Sequence, residues 1–171
     1  MRRAAGALVA LVAAGCAGPR ATGSGFAFPD AFEANQLVTV RTGDETRELL
    51  ASLRRAGEDH EVTLFDPVFA VPLLSASTRG GSFTVQGPRG PGADDVARLL
   101  ALLGDLYDRS YRPAGADRFE AKSGMFTFRL YGVSSRGGCS FPDRIEVEPR
   151  VGSAVHLDVV TIDVGCGART P

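Results

Sequence analysis

CSFPDRIEVEPRVGSAVHLDVVTIDVGC, residues 139–166, has the sequence pattern of two long β-strands joined by a short turn. Apolar and charged side chains alternate in DRIEVEPR, and apolar and polar side chains alternate in AVHLDV. The glycine-containing VGS segment between them favours a hairpin connection. Aligning the two apolar faces pairs Val147 with Leu157 and Ile145 with Val159. The sequence therefore predicts an antiparallel hairpin in this segment.

The apolar alternation of the second strand changes phase after Val159. The apolar residues that follow are Val160, Ile162 and Val164. This change requires one extra residue, so we expect a β-bulge near Val159–Val160. Beyond the bulge, the register places Phe141 opposite Val164 and Cys139 opposite Cys166. The hydrophobic pattern alone thus brings the two cysteines together.

Most of the remaining chain also has strand patterns, separated by turn sequences. Residues 45–55 are ambiguous, because their leucines have helical spacing while the flanking hairpin signals favour a long strand. Pro72 should confine its strand to a sheet edge or a bulge, since proline cannot donate to the ladder. The other predicted strands are LVTVR (37–41), EVTLFD (61–66), FAVPLLSAS (69–77), GSFTVQ (81–86) and MFTFRLYGV (125–133).

One segment, residues 93–107, has a helical pattern. Asp94 is a suitable N-cap, and the apolar residues recur at helical spacing. Those on one face are Val96, Leu99, Leu100, Leu103 and Tyr107, with Leu102 and Leu106 widening the face. A helix this apolar must be covered, so we expect it to lie across the concave side of an antiparallel sheet.

The N-terminus has a short basic start followed by an apolar run that is too short to span a bilayer, as in a secretory signal. The run ends in VAAGC, which resembles the lipobox of bacterial lipoproteins. This resemblance implies that residues 1–15 are a signal peptide and that Cys16 is acylated, for example with palmitate. Residues 16–25 would then form a flexible tether to the periplasmic face of the outer membrane. The alternative is an ordinary signal peptide that is cut elsewhere, with Cys16 incidental.

The charge of the chain bears on nucleic-acid binding, and its cysteine content bears on disulfide formation. Removal of residues 1–15 leaves 156 of the 171 residues and shifts the formal net charge from −1 to −3. An acidic chain without a basic cluster is not expected to bind nucleic acid. In an oxidising compartment, Cys139 and Cys166 are an even pair and predict a disulfide. The alternative is two free, buried cysteines.

Motifs of catalysis or metal binding are missing from the sequence. It contains no GxSxG, HExxH or P-loop pattern, and no CxxC or Cys/His cluster. His60 and His156 fall at polar positions of strand patterns, so both are predicted to face solvent. We therefore expect a non-enzymatic protein without a metal or other cofactor.

Two segments carry a resemblance to a known family. FPDRIEVEPRVGSAVHLDVVTIDV (141–164) and EVTLFDPVFAVPLLSAS (61–77) look like parts of the LolA/LolB-like lipoprotein-localisation superfamily. The resemblance implies one domain over residues 26–171, of α+β class but mainly β. Its fold would be a strongly curved antiparallel half-barrel with one or two helices on the concave side. DPVF (66–69) matches a loop with which receptor members contact the membrane, so Val68 or Phe69 would insert there.

The sequence is compatible with two functions. The first is a monomeric carrier or receptor that binds lipid or lipoprotein acyl chains in an apolar cavity. The second is a non-catalytic structural or assembly lipoprotein whose concave face is filled by its own side chains. The residues expected to line the cavity are Phe65, Leu73, Phe83, Val96, Leu99, Leu100, Leu103, Tyr107, Phe126, Phe128 and Leu130.

Overall fold

The structure, a computed structural model, describes residues 25–80, 82–87, 102, 105–124, 126–150 and 155–167. The predicted signal peptide, Cys16 and nearly all of the predicted tether lie outside these residues. Within them, thirteen strands form one eleven-stranded sheet and one separate two-stranded sheet. The chain is therefore mainly β, as the strand patterns predict.

The strands follow one another along the chain with mostly short connections. In chain order they are β1 (Phe26–Ala27), β2 (Ala31–Thr42), β3 (Glu45–Ala56), β4 (Asp59–Phe65), β5 (Pro72–Arg79), β6 (Ser82–Gln86), β7 (Ser110–Pro113), β8 (Arg118–Lys122), β9 (Phe126–Tyr131), β10 (Ser134–Arg136), β11 (Cys139–Phe141), β12 (Arg144–Pro149) and β13 (Val155–Cys166). The large sheet has the spatial order β1-β7-β8-β9-β12-β13-β2-β3-β4-β5-β6, and all its neighbouring strands are antiparallel. The long strands β13, β2 and β3 form its centre.

The C-terminal hairpin is confirmed in its first half. Strands β12 and β13 pair Val147 with Leu157 and Ile145 with Val159, as the hydrophobic alignment predicts. These four side chains are at most 2% exposed. Matching the apolar positions was sufficient to predict this register, because a slip of one residue would turn the apolar side chains of the slipped strand towards solvent.

The predicted position of the bulge was wrong. The register between β13 and β2 shifts between Thr161 and Asp163, so Ile162 is the extra residue. Thr161, not Val160, continues the buried set: it is 5% exposed, and its hydroxyl donates a hydrogen bond of 2.8 Å to the carbonyl of Pro142. Val160 and Ile162 are 42% and 56% exposed. Because Thr161 is polar but buried with its hydrogen bond made, the pattern of apolar residues alone gave the wrong phase for this strand.

The predicted ladder beyond the bulge was also wrong, although the cysteines do meet. Phe141 and Cys139 belong to β11, which pairs with β10 to form the two-stranded sheet. Cys139 and Cys166 nevertheless lie at disulfide distance, with their Cα atoms 5.8 Å apart. The two cysteines therefore meet as predicted, but Cys139 does so from the separate two-stranded sheet and not from a ladder between β12 and β13.

Two ambiguous segments are resolved by the structure. Residues 45–55 lie in strand β3, as the hairpin signals favoured, and not in a helix. Pro72 is the first residue of β5, which lies between β4 and β6 and is therefore not an edge strand. The register between β4 and β5 shifts beside Pro72, which confirms the bulge alternative.

The predicted helix is described only near its C-terminal end. Residues 102 and 105–107 are helical, and Leu106 and Tyr107 are buried at 0% and 1% exposure. Val96, Leu99, Leu100 and Leu103 lie outside the described residues. In the part of the chain that the structure describes, no helix combines the length and hydropathy needed to cross a membrane.

Candidate functional site: an apolar sheet face and an exposed loop

One face of the large sheet carries the hydrophobic core. Leu130, Ile145, Val159 and Val38 stand opposite one another in a row across β9, β12, β13 and β2, and each is fully buried at 0% exposure. We call the side of the sheet that carries this row the core face, and the opposite side the outer face. Because side chains alternate along each strand, the register extends the core face across all eleven strands.

One end of the core face is aromatic. The ring of Phe28 lies 4.8 Å from that of Tyr107 and 5.2 Å from that of Phe141, centroid to centroid. Phe32 lies 5.0 Å from Phe141 and 5.6 Å from Tyr107. Three of these four contacts are edge-to-face, a geometry that adds to the free energy of apolar burial. We call this group, together with Phe26, Tyr111 and Phe119, the aromatic end.

A buried polar network holds Tyr107 against the middle of the sheet. The Tyr107 hydroxyl donates a hydrogen bond of 2.6 Å to Oε1 of Gln36, which is 1% exposed on the core face of β2. Nε2 of Gln36 in turn donates to the Thr161 hydroxyl at 3.5 Å. Burial raises the pKa of Tyr107 far above its usual value, and the hydrogen bond to Gln36 offsets this only in part. The helical segment is thereby fixed at one point over the core face.

A charged cluster holds the residues that follow. Nη1 of Arg55 donates a hydrogen bond of 2.6 Å to the carbonyl of Tyr107, and Nη2 lies 3.2 Å from Oδ1 of Asp108. Nε2 of His60 lies 3.1 Å from the same carboxylate oxygen without forming an aligned hydrogen bond. Arg55 and His60 face each other across β3 and β4, so two strands and the end of the helical segment meet here.

The prediction that His60 faces solvent was wrong. His60 is 8% exposed and shares the core face with Val62 and Leu64, because the apolar alternation of β4 begins at the histidine. Its partner Asp108 lies far away in sequence, so nothing local marked it as buried. His156, by contrast, is exposed as predicted.

The residues expected to line a cavity are distributed unevenly. Tyr107, Phe128 and Leu130 are buried on the core face, and Phe126 is half-buried beside them. Phe83 also lies on the core face but is 50% exposed on β6, at the end of the strand order.

Two of the expected positions need correction. Phe65 stands opposite Leu50 on the outer face, because its neighbour Leu64 is the residue that turns inward. Leu73 sits at the register shift beside Pro72 and is 39% exposed, so it does not continue the core-face alternation.

Two clefts formed by the described residues lie away from these positions. The first, of about 510 Å³, is lined largely by polar residues of β2, β3, β4 and β13, among them Glu33, Arg54 and Asp163. The second, of about 660 Å³, lies around β7 and β8 and includes Arg109 and Glu120. Neither cleft is lined by a residue that was expected to line the cavity. Over the described ranges, no group of histidine, cysteine and acidic side chains is arranged to hold a metal ion.

The loop between β4 and β5 presents apolar side chains on a hydrogen-bonded turn. Oδ1 of Asp66 accepts hydrogen bonds of 2.9 Å from the N–H groups of both Val68 and Phe69. The loop is closed by a 3.0 Å bond from the N–H of Asp66 to the carbonyl of Val71, and Ala70 adopts a positive φ of 51°. Val68 and Phe69 are 78% and 77% exposed. The turn therefore holds two large apolar side chains out in solvent.

Several of these groups have no recognisable motif in the sequence. Gln36, Arg55 and Asp108 resemble ordinary surface residues in the sequence, because their partners lie on distant elements. The aromatic end did have a local signal: FAFPDAF (26–32) contains three phenylalanines, two and then four residues apart, at the start of a strand.

Comparison with known proteins identifies the fold. No family model matches the chain, and no curated protein matches it. Among solved structures, the crystal structure of a LolA superfamily protein from Nitrosomonas europaea is similar, with a TM-score of 0.53 and 16% sequence identity. The similarity covers 83% of this chain and 89% of the other. The chain therefore has a LolA-like fold.

Proposed function

We propose that this chain is a periplasmic lipoprotein, anchored to the outer membrane through Cys16, that binds the acyl chains of lipids or lipoproteins against its core face. It acts as a carrier or receptor and not as an enzyme. The observation that carries the proposal is the core face itself, which continues in register over all eleven strands of a LolA-like fold. Where its own side chains leave it partly uncovered, this face offers acyl chains an apolar surface, and each buried CH₂ group contributes about 0.8 kcal/mol.

The connectivity supports a sheet that curls around this face into an open half-barrel. Strands β1 and β2 lie six positions apart in the sheet, but only residues 28–30 join them. In a flat sheet that distance would be roughly 29 Å, since neighbouring strands are about 4.8 Å apart. Three linking residues span at most about 14 Å. Phe28, within this link, contacts Phe32 and Tyr107, which supports a crossing on the core side.

The exposed loop supports contact with the membrane. Val68 and Phe69 are the two most exposed of the large apolar side chains in the described part of the chain. The Asp66 carboxylate holds the turn in this conformation by accepting hydrogen bonds from both backbone N–H groups. We assign them to insertion into the bilayer interface. Nine residues of the predicted tether, 16–24, precede the first described residue, so the tether would keep the domain within about 30 Å of an acylated Cys16.

One observation favours the alternative, a structural or assembly lipoprotein with a filled core. The central rows of the core face are already covered: Leu130, Ile145 and Val159 are fully buried. An acyl chain would then have to bind where the core face is only partly covered, at residues such as Leu49 and Phe126.

Leu49 and Leu50 allow a matched test. They are adjacent in β3 and both half-buried, but Leu49 stands opposite Val38 on the core face and Leu50 opposite Leu37 on the outer face. In a Cys16→Ser background, Leu49→Glu should weaken binding of a fluorescent fatty acid at least tenfold, while Leu50→Glu should leave it nearly unchanged. Melting temperatures of both variants check that each is folded.

The outcomes separate the two functions. Loss of binding in the core-face variant alone supports the carrier. A parent protein that binds no fatty acid, and retains no lipid in a native mass spectrum, supports the filled scaffold. Equal losses in both variants would contradict a site on the core face.

A further inference from the structure

The two-stranded sheet β10–β11 is an arm inserted between two neighbouring strands. Strands β9 and β12 are hydrogen-bonded to each other and pair Tyr131 with Arg144 at the point where the arm leaves. Over the described residues, β10 and β11 pair with each other and with no strand of the large sheet. The arm is thus held in place by contacts other than a shared ladder.

The base of the arm is fixed to the side of β13. Strand β12 pairs with β13 only as far as Val160. Beyond that point, the residues just before β12 contact β13 instead. The N–H of Thr161 donates to the carbonyl of Asp143 at 2.9 Å, and its hydroxyl donates to the carbonyl of Pro142 at 2.8 Å. The first of these bonds satisfies a backbone N–H of β13 that β12 leaves unpaired.

The tip of the arm has fewer contacts. The N–H of Cys166 donates to the carbonyl of Gly137 at 2.8 Å. Gly137 has a φ of 53°, and a Cβ there would collide with the carbonyl oxygen of Val164, so the two backbones lie in close contact. A longer bond of 3.4 Å runs from Arg136 to the carbonyl of Thr161. The Cys139–Cys166 disulfide is the one covalent link between the tip and β13.

The arm carries one large side chain into the aromatic end. Phe141, the last residue of β11, is 0% exposed and packs against Phe28 and Phe32. Phe32 stands opposite Cys166 in the register of β2 and β13, so ring and disulfide lie at the same end of the core face. The arm therefore covers the aromatic end through Phe141 and is linked to β13 beside it through the disulfide.

We propose that the β10–β11 arm is a disulfide-locked cap over the aromatic end, and that reduction of Cys139–Cys166 releases its tip and opens this end of the core face. A dithiol reductant supplies the two electrons and two protons: its own disulfide forms as the Cys139–Cys166 bond breaks to give two thiols. Without the link, the Cys166–Gly137 hydrogen bond and the Arg136 contact hold the tip. The cap does not depend on lipid binding and can be tested without a ligand.

Amide hydrogen exchange, with and without dithiothreitol, tests the cap on Cys16→Ser protein. On reduction, amides of residues 139–141 and 164–166 should exchange about tenfold faster or more, equivalent to about 1.4 kcal/mol of lost protection. Amides in the paired part of β12 and β13, around Ile145 and Leu157, should keep their protection. A Cys139→Ser/Cys166→Ser double variant should show the same pattern without reductant.

Two results would overturn the proposal. Unchanged exchange at residues 164–166 after complete reduction, checked by thiol labelling, would mean that the disulfide does not hold the cap. Faster exchange throughout the sheet would mean that the bond stabilises the whole domain and not one local cap.

Discussion

Removing the Tyr107 hydroxyl should destabilise the protein more than its small size suggests. In Tyr107→Phe the ring still fills the aromatic end, but Oε1 of Gln36 loses the donor that lies 2.6 Å away. Gln36 is 1% exposed, so water cannot easily replace the phenol. An unsatisfied buried polar group costs about 1–3 kcal/mol. For a domain of this size, each kcal/mol of lost stability lowers the Tm by roughly 2–4 °C.

A double-mutant cycle separates this effect from packing. Gln36→Leu should cost a similar amount, because it leaves the Tyr107 hydroxyl buried without its acceptor. The combined variant removes both partners and should be more stable than the sum of the single effects predicts, by about 1–2 kcal/mol. Tyr131→Phe is the matched control: its hydroxyl contacts Glu146 at 2.8 Å on the partly exposed outer face, so its cost should stay below about 1 kcal/mol.

Urea unfolding of the four variants gives the required free energies. A cost of Tyr107→Phe no larger than that of Tyr131→Phe would contradict the prediction, because the network would then contribute nothing beyond an exposed hydrogen bond. Additive effects of Tyr107→Phe and Gln36→Leu would also contradict it, since the two groups would then act independently.

Two further predictions concern pH and the exposed loop. Burial raises the folded-state pKa of Tyr107 and Tyr111 far above the unfolded value of about 10. Their contribution to stability is therefore complete below about pH 10. Above that pH, the free energy of unfolding should fall by up to about 1.4 kcal/mol per pH unit for each tyrosine. A free energy of unfolding in urea that does not change above pH 10 would contradict this. Phe69→Glu should reduce sedimentation with phosphatidylethanolamine–phosphatidylglycerol vesicles by roughly thirtyfold in affinity, because an inserted phenylalanine contributes about 2 kcal/mol. Ile162→Glu, at a side chain that is 56% exposed elsewhere, should have little effect, and equal losses would argue against a specific loop.

The parts of the fold that could be predicted from the sequence are those in which local alternation and burial agree. Val147 and Leu157 pair as predicted, because each strand buries one apolar face and short turns leave few alternative registers. The prediction failed where a polar side chain is buried with a distant partner. Thr161 bonds to Pro142 inside the core, and His60 packs next to Asp108, so both interrupted the pattern that marks a buried strand face.

The candidate site was less predictable than the sheet. Phe65 and Leu64 are both apolar, and alternation alone could not decide which of them turns inward beside a bulge. The network of Gln36 and Tyr107 joins β2 to a helical segment 71 residues away, which no local pattern reveals. The resemblance to LolA-like proteins supplied the exposed DPVF loop, and the structure places its apolar side chains in solvent.

Photo-crosslinking with a diazirine-bearing fatty acid tests whether acyl chains bind on the core face. Purified Cys16→Ser protein is irradiated with the probe, and the modified residues are mapped by mass spectrometry. Acyl-chain binding on the core face predicts adducts at partly covered core-face positions, such as Val40, Leu49 and Phe126, that decline when unlabelled fatty acid competes. Adducts confined to the outer face, or a yield that competitor does not change, would contradict it.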